Sequence, residues 1–163
     1  MQSPFVHLRV HTEYSLSDGI VRIKPLVSAA REAGMPAVGI TDNVNLFGMV
    51  KFYKAALGAG IKPIVGVDLL IDEDDEPPTR LTLFAQNSTG YRNICELLSR
   101  GYLHGQSKAG VLCKRQWVID YAEGLIALSG GMAGDVGSAL LAGKNDVARQ
   151  RARDWQAVFG DRY

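Results

Sequence analysis

The chain has 163 residues, 47% of them hydrophobic and 21% charged, with a net charge of +1. That length suits one domain with a sizeable core, and the near-neutral balance gives no bulk electrostatic case for nucleic acid or an anionic membrane surface. No apolar run is long enough to span a bilayer, Met1-Gln2-Ser3-Pro4 lacks the regions of a signal peptide, and Cys95 and Cys113 form no Cys-x-x-Cys pair, so the expectation is a cytoplasmic protein with free thiols and no membrane contact.

Phe5–His11 reads as the first strand. Alternate side chains share a face, so His7, Arg9 and His11 point one way and Val6, Leu8 and Val10 the other, as if packed under helices. An His-x-His pair commonly holds a metal, but here the middle residue is arginine, which offers no lone pair. Lys24–Ala33 reads as a helix, with Pro25 in its first turn and Gly34 as its stop. Pro36–Thr41 is a second strand, Phe47–Leu57 a helix closed by Gly58 and Gly60, and Lys62–Ile71 a near-continuously apolar third strand. Asp72–Pro78, acidic and with two prolines, reads as an exposed loop. Arg80–Gln86 is a fourth strand, followed by a helix capped by Ser88 with Tyr91, Ile94, Cys95, Leu98 and Tyr102 at helical spacing. His104–Cys113 is a polar loop, Gln116–Tyr121 a short helix and Gly124–Leu128 a fifth strand ending in Ser129-Gly130-Gly131. Asp135–Leu141 and Asp146–Phe159 are helices, the second with a stripe of Ala148, Ala152, Trp155 and Phe159.

Strand–helix alternation predicts an α/β fold with a parallel sheet, open or closed into a barrel. Polar residues on the first strand favour a barrel with its site at the strands' C-terminal ends. The last helix has no strand after it, so the expectation is an incomplete barrel over residues 1–163. The polar candidates gather at those ends: His11, Glu13 and Asp18 after the first strand, Asp42 and Asn43 after the second, Asp68 in the third, Arg80 opening the fourth, and Gly130 and Gly131 after the fifth.

The segments Phe5–Ser15 with Asp18-Gly19, Ile40–Gly48, Val50–Ala56, Gly60–Gly66, Asn87–Asn93 and Gly124–Gly131 resemble, in collinear order, the PHP (polymerase and histidinol phosphatase) domain, and within that family the form that opens bacterial DNA polymerase III α subunits. The resemblance implies a distorted barrel of parallel strands with a polynuclear metal cleft, holding zinc or manganese in active relatives. It also implies that the closing strands, the polymerase domains with their magnesium, and the DNA contacts lie outside this stretch. Against the active pattern, Arg9 replaces the first His of His-x-His, Asn43 replaces the His of Thr-Asp-His, Asp68 stands for a Glu, Arg80 for a His and Gly131 for a Cys. His11 and Asp18 survive unchanged. Metal ions of this kind need several lone-pair donors in fixed geometry, and two guanidinium groups would repel a cation. The expectation is therefore no catalytic residue, no bound metal, and Arg9 pairing with Asp42 or Asp68 in the metal's electrostatic role.

Structural roles are favoured for the other conspicuous residues. His7 and His104 read as hydrogen-bonded and solvated histidines, Glu13 and Tyr14 as loop-shaping residues, Gly130-Gly131 as a tight turn ahead of a phosphate cradle, and Cys95 as core. Lys144, Arg149, Arg151 and Arg153 read as a solvated helix face as well as a basic patch, diluted by Asp146 and Asp154. Two functions follow from the resemblance. The first is a catalytically degenerate scaffold within a replicative polymerase, docking the proofreading exonuclease subunit of the holoenzyme. The second is an active metal-dependent phosphoesterase or 3′–5′ exonuclease using metal-activated water.

Overall fold

The computed structural model describes residues 5–73 and 76–163. The chain divides into two compact units, one ending at Val67 and one running from Asp68 to Tyr163, and the division falls inside a strand.

In the first unit, residues 5–11 form no regular strand, contrary to the alternation. The Gly39 N–H donates to the His7 carbonyl at 2.7 Å and the Thr41 N–H to the Val10 carbonyl at 2.9 Å. The acceptors are three residues apart and the donors two. One extra residue on the acceptor side breaks a ladder in the manner of a bulge, and the two-face pattern breaks with it: Leu8 is 41% exposed, while His7 and Arg9 are exposed and His11 is half-buried.

Helix α1 (Ile23–Glu32) has Pro25 in its first turn, where the missing N–H has no intrahelical partner to lose, and Gly34 follows it at φ 70. Strand β1 (Ala37–Ile40) is buried throughout. Helix α2 (Met49–Gly58) begins two residues later than the sequence suggests, because the Phe47 N–H is taken by the Asn45 side chain at 3.0 Å in a turn. Strand β2 (Lys62–Glu73) then pairs parallel with β1, from Ala37 opposite Lys62 to Ile40 opposite Val65. Ile23, Val27, Val38, Ile40, Phe52 and Ala56 form the core of this unit.

The second unit holds β3 (Glu76–Ala85), α3 (Ser88–His104), β4 (Gln106–Ser107), β5 (Gly110–Lys114), α4 (Arg115–Asp120), β6 (Leu125–Leu128), α5 (Asp135–Leu141) and α6 (Asn145–Phe159). The strand order is β4-β5-β2-β3-β6. β5 runs parallel to β2, but β6 is antiparallel to β3 and β4 is antiparallel to β5. The fold is thus mixed α/β, with six paired strands in an open arrangement once β1 is counted beside β2, and the all-parallel expectation is corrected. That expectation rested on strand–helix alternation over most of the chain. β3 instead follows β2 after two residues, and β4–β5 is a hairpin within the segment read as a loop; short links join antiparallel strands, whereas parallel ones need a long crossover.

Three further local readings change. The acidic stretch expected as a loop is largely strand, with Pro77 and Pro78 near the start of β3, a place strands tolerate proline. Helix α3 is capped by Asn87, whose side chain accepts from the Gly90 N–H, not by Ser88. Its buried stripe also turns onto Gly90, Ile94, Leu97, Leu98 and Gly101, leaving Tyr91 and Tyr102 exposed. The glycines set that rotation: a Cβ at Gly90 would strike the Gly124 carbonyl, and one at Gly101 would crowd Val111 and Leu112.

In the first unit the same constraint acts at Gly39, where a Cβ would collide with the Leu8 carbonyl. Gly39→Ala is expected to destabilise the protein by about 2 kcal/mol, the scale of an overpacked core, read as a lower midpoint in denaturant unfolding.

Candidate functional site

The centre of the first unit's polar site is the Asp42 carboxylate, just past β1 and 2% exposed. It accepts from the Thr12 N–H at 2.6 Å, the Thr12 hydroxyl at 2.8 Å and the Ser15 hydroxyl at 2.7 Å. Thr12 also caps the 3-10 turn Glu13–Asp18, its hydroxyl accepting from the Tyr14 N–H. Ser15 in turn accepts from the Asn43 N–H at 3.0 Å. The Asn45 side chain closes the second loop by donating to the carbonyls of Tyr14 and Asn43. Strain accompanies this closure. Leu16 sits at φ 60 and the buried, β-branched Val44 at φ 47, conformations that persist only where surrounding bonds over-determine them.

These loops present Asp18 and Asn43 to His11. His11 Nδ1 lies 2.9 Å from Asp18 Oδ2, and the Asn43 amide nitrogen donates to the same oxygen at 2.5 Å. The His11 side chain is 12% exposed and that of Asp18 53%. Three positions named from the sequence therefore meet here, with Asp42 behind them through Ser15. Arg9 is exposed in the segment leading to His11.

The remaining named positions lie in the second unit. Asp68, in β2, is fully buried, accepts from the Thr82 hydroxyl at 2.5 Å and lies 3.8 Å from the Arg80 guanidinium. Gly131 opens a 3-10 turn at φ 60 and is exposed; it follows Gly130 at φ 73, whose added Cβ would strike the Arg80 carbonyl. That is a turn role for both glycines.

The polar partners of the named positions differ between the two units. His11 and Asp18 are bonded to one another, Asn43 turns a donor N–H to Asp18, Arg80 brings a cation to Asp68, and Gly131 has no side chain. No group of three or more His, Cys, Asp or Glu side chains suited to a metal occurs among the described residues. Burial pushes the Cys113 thiol up to about 12, which keeps it out of the nucleophilic thiolate form near neutral pH.

The sequence did not single out a second polar network, around Asp135 at the start of α5. This carboxylate is 2% exposed and accepts from Arg115 at 2.5 Å, from the Trp155 indole at 2.8 Å and from the Val136 N–H at 2.7 Å. The Arg115 guanidinium stacks 4.2 Å above the Trp155 ring. Arg151 donates to the Asp135 carbonyl and to Glu76, holding that carboxyl below the usual range. A pocket of about 400 Å³ opens beside it, lined by Arg115, Ile119, Arg151, Asp154, Trp155 and Val158. The signal for this network was the tryptophan in an otherwise polar helix, which needs a partner for its N–H when buried. With Arg149 on Asp146 and Arg151 on Glu76, half of the four candidate basic residues face carboxylates.

Two substitutions test these networks. Asp42→Ala leaves three donors without their acceptor and is expected to lose about 3 kcal/mol of stability. Asp135→Asn strips the charge facing Arg115 and is expected to lose a similar amount, about 3 kcal/mol. Equilibrium unfolding measures both.

Residues 7–163 match the PHP domain family. The chain is 52% identical to the DNA polymerase III subunit alpha of Pseudomonas fluorescens and 51% identical to that of Pseudomonas aeruginosa, in each case over 100% of this chain and 14% of the relative. It is 48% identical to the Escherichia coli K12 subunit over 98% of this chain and 14% of the relative. The chain thus spans about one-seventh of the length of the curated relatives it matches. Among solved structures, an amidohydrolase from Chromobacterium violaceum aligns with 59% of this chain and 32% of its own at 17% identity, with a TM-score of 0.48. No helix among the described residues is long and apolar enough to cross a membrane. On the match that runs from His7 to Tyr163, this chain belongs to the PHP domain family.

Proposed function

We propose that this chain is the N-terminal part of the PHP domain of a bacterial replicative DNA polymerase III α subunit, and that the domain is a non-catalytic scaffold and docking surface for the proofreading exonuclease subunit. Identity near one half over the whole chain supports the first part. In this reading a barrel of the PHP type is completed by chain beyond this stretch, DNA synthesis and its magnesium belong to that chain, and the setting is the cytoplasm.

One observation carries the second part. A single oxygen, Asp18 Oδ2, takes both the His11 and the Asn43 hydrogen bonds. The two ligand types retained from the active pattern satisfy each other, and the third position, an amide, adds a donor where a metal needs a lone pair. Arg80 supplies a fixed positive charge beside the buried Asp68, which offsets the cost of a carboxylate without solvent. Arg9 serves Asp42 or Asp68 in the same sense. A surface kept folded without its chemistry is then free to serve as a binding platform.

The test uses the full-length polymerase subunit purified without chelator. Zinc and manganese are expected below one per chain, manganese is expected not to stimulate hydrolysis of a simple phosphate ester, and the exonuclease subunit is expected to co-elute. Stoichiometric metal, together with manganese-stimulated hydrolysis lost in Asp18→Ala, overturns the scaffold reading in favour of a phosphoesterase. Arg9→Ala is expected to lower the thermal midpoint; an unchanged midpoint removes the proposed role of Arg9.

A further inference from the structure

We propose that the pocket between α4 and α6 is a binding site for a guanine base, free in a nucleoside or nucleotide or carried by single-stranded nucleic acid. The inference goes beyond the scaffold reading and does not depend on it.

The pocket draws Arg115 and Ile119 from α4, and Arg151, Asp154, Trp155 and Val158, at i, i+3, i+4 and i+7, from one face of α6. Its volume, about 400 Å³, lies in the range of small-ligand sites. The lining combines the groups that recognise a purine ring. A planar cation, Arg115, is held by the indole 4.2 Å from it and by Asp135 at its edge, and its side chain keeps 28% of its surface exposed. Bases stack on guanidinium planes as they do on aromatic rings. Ile119, 38% exposed, and the half-buried Val158 add apolar wall. Arg151 brings a cation and Asp154 a carboxylate from adjacent turns of one helix face, where Cβ atoms lie about 5–6 Å apart.

This pair selects the base. Arginine is the partner of guanine O6 and N7, and a carboxylate accepts the N–H groups that guanine carries beside O6, at N1 and N2. Adenine is read by a side-chain amide, whereas the polar residues lining this pocket are arginine and aspartate. Both charges are prepositioned. Arg151 is held by Glu76 and the Asp135 carbonyl, and Asp154 accepts from the Gln150 amide at 2.8 Å.

In the experiment the full-length protein is photolabelled with 8-azidoguanosine, and the attachment site is read by peptide mass spectrometry. Label is expected on peptides of α4 or α6. Asp154→Leu, at an exposed helix position, is expected to reduce it at least about tenfold, and Arg153→Leu, the exposed neighbour, to leave it unchanged. Unlabelled guanosine is expected to compete at concentrations at least about tenfold below those of adenosine. Absence of label from both helices overturns the inference, as does label that persists in Asp154→Leu or equal competition by adenosine. An oligothymidylate carrying one guanine, set against oligothymidylate alone, separates the sources. Competition by the guanine-bearing strand below the concentration needed of guanosine assigns the pocket to single-stranded nucleic acid, and competition by guanosine alone assigns it to a free nucleoside or nucleotide; each supports the guanine site.

Discussion

A carboxylate almost without solvent, Asp42, holds the first unit's loops in place. Its three donors come from Thr12 and Ser15, 30 and 27 residues earlier in the chain. They join the end of β1 to the turn that carries Asp18. That clamp, with the Asn45 bonds to the Tyr14 and Asn43 carbonyls, sets Asp18 and Asn43 relative to His11 and holds the positive-φ residues Leu16 and Val44. The rigidity a catalytic centre needs is present, while the groups it positions are turned toward each other.

Three buried aspartates show three ways of keeping a negative charge inside a protein. Asp42 is satisfied by neutral donors alone in the bonds described above. Asp68 takes a hydroxyl at close range and a guanidinium further off. Asp135 takes a guanidinium and an indole that also stack on each other. In each case the partners are supplied by the chain, and breaking one partner leaves the other desolvated and unpaired. Their burial therefore reads as architecture as much as ancestry.

Much of this was legible in the residues. α5 runs over the residues its pattern marked, and β1, β2, α1, α4, β6 and α6 fall within two residues of theirs at each end, because apolar periodicity and glycine stops are local signals. Beside the local changes at β3 and α3, the failures were non-local. The one-residue mismatch between His7–Val10 and Gly39–Thr41 cannot be seen in either segment alone. The hairpin at 106–114 was hidden because its polar, glycine-containing sequence has the composition of a loop. At the site, residue types marked His11, Asp18 and Asn43, but their convergence on one oxygen depends on the backbone of two loops. Asp135 carried no motif; only its burial beneath Arg115 and Trp155 makes it conspicuous.

The placement of the indoles has a spectroscopic consequence. Both tryptophans, Trp117 and Trp155, lie beyond Asp68, so the stretch before it absorbs and emits through tyrosine and phenylalanine only. Trp155 is 1% exposed, with a cation above its ring and a carboxylate on its nitrogen, surroundings that tune both emission wavelength and quantum yield. Intrinsic fluorescence therefore monitors one half of this polypeptide and is nearly blind to the other, and a transition in far-ultraviolet circular dichroism that precedes any change in indole emission would reveal the two halves melting separately.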